Sequence, residues 1–175
     1  PDATTEALQE HLGSGPRLLH IAAHGIADAL YPARSHLQLE PAGRGGRLEA
    51  AGLAALDLRS VDLALLAACE SGRGGVRRGE GMLGLTWATL SAGARNALIS
   101  HWRVDAAATS DLMVALHRRL AAGERDVARA LQDSQLELAG EPATAHPFYW
   151  AGFSLVGSGQ LSAASLPAGG LDRSP

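Results

Sequence analysis

The chain has 175 residues, a formal net charge of −3 and 46% hydrophobic residues, a size and composition typical of one folded domain with a substantial core. The small negative charge provides no broad cationic surface, so we expect no direct binding to nucleic acid or to an anionic membrane. No apolar run reaches the roughly 18 residues of a membrane span, and the N-terminus lacks a signal-peptide pattern. We therefore predict a cytoplasmic location.

The apolar pattern predicts strands that alternate with helices. Val61 to Ala68 is a run of valine, leucine and alanine almost without alternation, which is typical of a strand buried on both faces of a parallel sheet. Glycine, proline and capping residues bound the other segments. In the first third of the chain we predict a helix from Thr4 or Thr5 to about Gly13, a strand over 17–24 ended by Gly25, an edge strand or hairpin arm over 36–40 and a helix over 48–56. The strand 61–68, a helix over 82–91 and a strand over 96–104 follow. The last predicted elements are a helix begun by Asp105, a helix begun by Asp126 and a strand over 148–156.

This alternation indicates an α/β fold with a mainly parallel sheet and right-handed crossovers. We assign residues 1–159 to one domain and predict that residues 160–175, rich in Ser, Ala, Gly and Pro, form a disordered tail. In such folds ligands collect outside the carboxyl ends of the strands. That rule places His24, Cys69 and Asp105 on one rim.

Cys69 is the one cysteine of the sequence, so the chain cannot form an internal disulfide or a thiolate zinc cluster. A lone cysteine is most often a buried filler of the core, but a position between a buried strand and a glycine-rich loop favours a usable thiol. His24 ends the preceding predicted strand and offers an imidazole that can take the thiol proton. Gly25 can turn a backbone N–H toward a reacting carbonyl.

Two other patterns have competing interpretations. His20 and His24 have the spacing of a metal pair on a helix, but Ile21 stands where a zinc-peptidase helix needs glutamate. The arginine- and glycine-rich loop 70–81 can cradle an anion before a helix, but it lacks the phosphate-loop pattern and the chain has no lysine. We therefore predict no metal and no cofactor. His20 is then a structural histidine and the loop a solvated one.

The segment Ser100 to Asp105 carries polar and aromatic groups at a predicted strand end. Strand alternation puts Ser100 and Trp102 on one side, and Arg103 and Asp105 on the other, so that one set can line a peptide groove. Asp105 has an alternative role as the N-cap of the next helix. The sequence leaves these two roles open.

Six segments, in this order, resemble the CHAT peptidases, bacterial relatives of caspases and separase that are often joined to tetratricopeptide repeats. Residues 19–25 are similar to the family's histidine strand, and residues 65–72 are similar to its cysteine strand. The remaining segments are Glu80-Gly81 with Gly84-Leu85, Ala92 to Ala94, Ser100 to Asp105, and His146 through Trp150 to Gly157.

The resemblance implies a caspase-like α/β/α sandwich around a mainly parallel sheet, with the N-terminal part of that fold outside this chain. It implies that His24 is the catalytic histidine and Cys69 the nucleophile, with the amides of Gly25 and Cys69 at the oxyanion. It also implies four residues that border the substrate groove: Ser100, Trp102, Arg103 and Asp105.

The implied function is limited proteolysis of a protein or peptide substrate through a thioester, in bacterial defence or cell-death signalling. An upstream or partner domain, such as tetratricopeptide repeats, is expected. A non-catalytic caspase-like interaction module and an anion- or nucleotide-binding α/β domain are the rival functions. Arg103 and Asp105 favour opposite charges in a substrate, so the preferred residue before the cut stays open.

Overall fold

The computed structural model describes residues 4–26, 28, 31–40, 46–66, 80–102 and 105–163. Its regular elements form one four-stranded sheet, one three-stranded sheet and helices packed against them. The strands are β1 (Leu18–Ile21), β2 (His24–Ile26), β3 (His36–Gln38), β4 (Arg47–Glu49), β5 (Leu63–Leu66), β6 (Asn96–Ser100) and β7 (Phe153–Gly157). The α-helices are α1 (Thr5–Gly13), α2 (Ala50–Ala54), α3 (Glu80–Ser91), α4 (Ala106–Ala121) and α5 (Val127–Gly140).

The larger sheet has the strand order β1-β5-β6-β7. β1 and β6 pair with β5 in parallel, and β7 pairs with β6 antiparallel. All four residues of β5 are buried, as expected for a strand with a partner on each side and helices on both faces. The predicted mainly parallel sheet is therefore confirmed.

Side chains of successive strand residues belong to two different apolar clusters. In β5, Leu63 and Leu65 pack with α4 and α5, whereas Ala64 and Leu66 pack with α2 and α3. Leu8 and Leu12 bring α1 to the second of these faces. This is the period-two alternation of a strand. It gives the three-layer arrangement of helices, sheet and helices that the resemblance implies.

The smaller sheet has the order β2-β3-β4 and is antiparallel throughout. The strand predicted over 17–24 is therefore wrong in extent, because β1 ends at Ile21 and His24 begins a strand of the other sheet. Gly25 does not break the strand but lies inside β2, opposite Leu37. β3 is a hairpin arm, as one interpretation had it, but it is the middle strand and not an edge.

Three further segments differ from their predicted bounds, two of them because of strand pairing and one because of a local turn. Leu48 pairs with Leu37, so α2 starts only at Ala50. β6 ends at Ser100, where its pairing with β7 ends at Phe153. The strand predicted from Phe148 starts five residues later because Pro147 to Tyr149 form a 3-10 turn. The helix predicted over 82–91 is confirmed as α3, which starts at Glu80.

The predicted helix starts are confirmed by side-chain caps. Thr4 Oγ1 accepts a hydrogen bond from the Ala7 amide at 3.1 Å, and Asp126 Oδ1 accepts one from the Arg129 amide at 2.9 Å. Such a cap satisfies one of the free amides of the first turn. No helix in the described part of the chain is long and apolar enough to cross a membrane.

The segment that follows β7 is attached to the amino ends of the parallel strands. Asp62, which precedes β5, accepts hydrogen bonds from Arg17 at 2.8 Å, from Arg95 at 3.2 Å, and from the Ser162 hydroxyl at 2.9 Å. Leu161 is buried in the cluster with α4 and α5. Gln160, Leu161 and Ser162, which belong to the predicted disordered tail, therefore contact the rest of the domain. Residues 164–175 lie outside the described residues.

Candidate active site

The carboxyl ends of the three parallel strands meet at one edge of the larger sheet. Ile21, the last residue of β1, is in register with Leu66, the last residue of β5, and Leu66 is in register with Ile99 of β6. His24 lies three residues after Ile21 in the sequence, and Cys69 lies three residues after Leu66. Cys69 itself is outside the described residues.

His24 begins β2 and is exposed at this edge. Its backbone pairs with Gln38 of β3, so the small antiparallel sheet holds its position. In the described part of the chain no residue forms a hydrogen bond with its imidazole ring. Gly25, the next residue, is buried. The arrangement presents an imidazole to solvent directly beside a buried backbone.

The segment expected to border a substrate groove divides into residues with different surroundings. Ser100 is buried at the end of β6. Trp102 is half-buried, and its indole Nε1 donates a hydrogen bond to the Phe148 carbonyl at 3.2 Å. Arg103 lies outside the described residues. Since β6 ends at Ser100, strand alternation does not determine which way Trp102 faces.

Asp105 acts as the N-cap of α4. Its Oδ1 accepts a hydrogen bond from the Ala108 amide at 2.9 Å. Its backbone carbonyl accepts one from the Thr109 hydroxyl at 2.7 Å. The capping role is thereby confirmed, and the carboxylate is exposed at the start of the helix.

An open groove of about 550 Å³ lies between the end of β1 and α4. One wall contains His20, whose ring stacks on the ring of His117 with centroids 5.2 Å apart and an interplanar angle of 24°. His117 Nδ1 lies 2.7 Å from the Met113 carbonyl, which fits an Nδ1–H donor with Nε2 left as an acceptor. Partial burial lowers the pKa of His20 below its ordinary value, and the neighbouring His117 lowers it further.

The metal-pair interpretation of His20 and His24 does not agree with this backbone. His20 lies in β1 and His24 in β2, with Ala22 and Ala23 between the two strands, so the two rings do not share a helix face. No group of three or more histidine, cysteine, aspartate or glutamate residues is placed for metal binding within the described ranges.

His117 is one residue near the site that the sequence pattern did not indicate. It lies on α4 next to Leu116, and only the repeating leucines of this helix attract notice in the sequence. Its stacking partner His20 is far away in the sequence, on β1, so no local spacing of residues links the two histidines. Gln38 of β3 pairs with His24 of β2. The sequence pattern did not indicate this residue either, because its partner is far away in the chain.

Comparison with known proteins gives one family and two curated relatives. A family model described as the CHAT domain matches residues 1–158. A mouse protein, "Tetratricopeptide repeat protein 28", is 38% identical over 104 residues, which cover 59% of this chain and 4% of the mouse protein. Its human namesake is 38% identical over 79 residues, which cover 45% of this chain and 3% of the human protein. The chain thus spans a small fraction of the length of these relatives.

Proposed function

The chain belongs to the CHAT family, which is related to the caspases, and from that premise we propose that it is a cysteine peptidase domain in which His24 is the base and Cys69 the nucleophile. The observation that carries the proposal is the register of β1 and β5. Ile21 and Leu66 are paired across the two strands, and His24 and Cys69 each follow that pair by three residues. The domain extends over residues 1–159 in this proposal.

The length of the chain limits how far each residue can lie from the paired strand ends. Three residues span at most about 10 Å, and neighbouring strands lie about 4.8 Å apart. His24 and Cys69 therefore both follow strands that end at the same rim of the sheet, which is where ligands collect in parallel sheets. The exposure of His24 at that rim supports its role as the base.

The proposed reaction uses groups of this chain and a water molecule. His24 removes the thiol proton of Cys69, and the sulfur attacks the scissile carbonyl carbon. The C–N bond breaks as the imidazolium gives its proton to the leaving amine, which leaves a thioester on Cys69. Water then hydrolyses the thioester, with His24 accepting its proton and returning one to the sulfur. The amides of Gly25 and Cys69 are the proposed donors to the tetrahedral oxyanion.

A non-catalytic interaction module is the second candidate. The observation that favours it is that the curated relatives are named for tetratricopeptide repeats. We propose such repeats as the neighbouring or partner domain in either case. The bacterial defence role expected from the resemblance gains no support from relatives that come from mouse and human, and the cytoplasmic location also stays a prediction.

The test is covalent labelling of the full-length protein with peptides that carry an electrophile, followed by mass spectrometry of the adduct. We expect an adduct on Cys69, loss of labelling in Cys69→Ala, and a fall of at least about 100-fold in labelling rate in His24→Ala. His11→Ala is the matched control because His11 is also an exposed histidine, located on α1. If His24→Ala labels as fast as His11→Ala, the dyad is excluded and the interaction module is favoured.

A further inference from the structure

The groove between β1 and α4 has a lining of consistent chemical character among the described residues. It lies between the carboxyl end of β1 and α4, along which the lining runs from Ala106 to His117. The described residues that line it carry alkyl, thioether, hydroxyl or imidazole groups. They are His20, Ala22, Ala106, Thr109, Ser110, Met113, Val114 and His117.

The groove and the proposed catalytic residues are close to each other along the chain. Ala22 follows the last residue of β1 and precedes His24 by two residues. Ala106 is the first residue of α4 and directly follows Asp105. The two walls therefore lead into the segments that would hold the base and border the substrate. A peptide bound at His24 would place a neighbouring side chain at this groove.

No carboxylate or guanidinium is among the described lining residues. Asp111 and Arg118 belong to α4, but neither lines the groove, and the carboxylate of Asp105 is used as a helix cap. A charged side chain bound here would lose water without gaining an opposite charge, which is costly. An apolar side chain would bury its surface favourably.

Size and shape agree with this chemistry. About 550 Å³ falls in the range of sites that hold small ligands or a few side chains. Met113 is buried at the groove and offers a flexible thioether that adapts to different apolar shapes. Val114 is 61% exposed although it is apolar. A hydrophobic substrate group would cover it.

We infer that this groove binds an uncharged apolar side chain, of the leucine, methionine or phenylalanine kind, next to the bond that is cut. The inference rests on the proposed peptidase function, because it assigns the substrate of that same site. It answers the question that Arg103 and Asp105 left open, in favour of a neutral substrate residue.

The experiment uses three peptidyl electrophiles on the full-length protein that are identical except for Leu, Asp or Arg next to the reactive group. We expect the Leu probe to label Cys69 at least about tenfold faster than the other two. In Val114→Glu the rate at which the Leu probe labels Cys69 should fall by at least about tenfold, and the labelling rate of the Arg probe should rise relative to that of the Leu probe. Leu136→Glu is the matched control, because Leu136 is also 61% exposed, lies on α5, and does not line the groove.

A second readout separates this inference from the peptidase proposal. The Cys69→Ala variant is titrated with an unreactive fluorescent peptide containing Leu, and binding is followed by fluorescence anisotropy. If Cys69 is labelled but the three probes react equally, or Val114→Glu behaves like Leu136→Glu, the groove inference is overturned and the peptidase proposal stands. If Cys69 is never labelled but the Leu peptide binds and Val114→Glu prevents it, the peptidase proposal is overturned, and the binding of an apolar side chain in this groove stands. Absence of both labelling and binding overturns both.

Discussion

His20 of β1 and His117 of α4 stack their imidazole rings at 5.2 Å between centroids, which links the edge strand of the larger sheet to the helix beside the groove. Two stacked imidazoles repel each other when both carry a positive charge. The pKa of His20 is lowered first by its partial burial and second by His117. The folded environment therefore disfavours the charged form of His20.

The pair predicts a loss of stability in acid. In the unfolded chain His20 takes up a proton near its ordinary pKa of 6.5, but in the folded chain it does so only at lower pH. The unfolded state thus binds more protons as the pH falls below about 6.5, and the free energy of unfolding decreases with it. Urea unfolding of wild type and His20→Gln between pH 5 and pH 7.5 should show a weaker pH dependence in the variant. Equal pH dependence in both would contradict the assignment, and His11→Gln serves as the control.

Substitution of Asp105 separates its two suggested roles. Asn caps a helix about as well as Asp, so Asp105→Asn should keep the stability of wild type, whereas Asp105→Ala should lose about 1 kcal/mol. Thermal or urea unfolding measures both. If the carboxylate also selects a charged substrate, Asp105→Asn will change the relative labelling rates of the Arg and Asp probes. We expect those rates to stay unchanged, since the groove and not Asp105 selects the substrate.

Asp62 is expected to stabilise the amino ends of the strands and the segment after β7. Its side chain is 5% exposed and contacts Arg17 and Arg95, which are themselves partly exposed. Asp62→Asn should lower the free energy of unfolding by about 2 kcal/mol, less than a fully buried pair would lose because water screens both arginines. Limited proteolysis should also cut residues 158–163 faster. Asp57→Asn, which removes an exposed partner of Arg59, should leave the unfolding midpoint unchanged.

Gly157 is predicted to tolerate no side chain. It has a φ of +136°, and an added Cβ would collide with the Arg95 carbonyl oxygen and lie 2.8 Å from the Asn96 Cα. Because both obstacles are backbone atoms at the start of the neighbouring strand, Gly157→Ala should cost about 3 kcal/mol of stability. Gly140→Ala is the control, since nothing lies within 4 Å of that position. A difference of less than about 1 kcal/mol between the two variants would argue against this backbone geometry.

The strongly patterned elements were accessible from the sequence. The unbroken apolar run from Val61 to Ala68 predicts a strand covered on both faces, and all four residues of β5, Leu63 to Leu66, are buried. Asp105 and Asp126 were recognisable as helix caps because capping depends on contacts only three residues away. Local chemistry determines such features, so local sequence reveals them.

The features that were missed depend on partners far away in the chain. The break after Ile21 arises because residues 24–26 pair with β3, which no pattern within 17–24 indicates. Leu48 has the spacing of a helical residue, but its pairing with Leu37 makes it part of a strand. The contact between His20 and His117 likewise depends on the packing of α4 against the sheet. His24 and Cys69 could be identified as candidates without knowledge of such contacts. That they follow paired strand ends could be recognised only from the register of β1 with β5.

The separation of β2 from β1 has a consequence for how catalysis would be controlled. His24 belongs to the small antiparallel sheet, whereas Cys69 follows β5 of the parallel sheet by three residues in the sequence. The two sheets contact each other through one apolar cluster that includes Leu37 and Ile21, and such contacts are not directional. A sub-ångström slide of one sheet over the other would change the distance for proton transfer while leaving every backbone ladder intact. Rate and stability would then be separately adjustable by mutation.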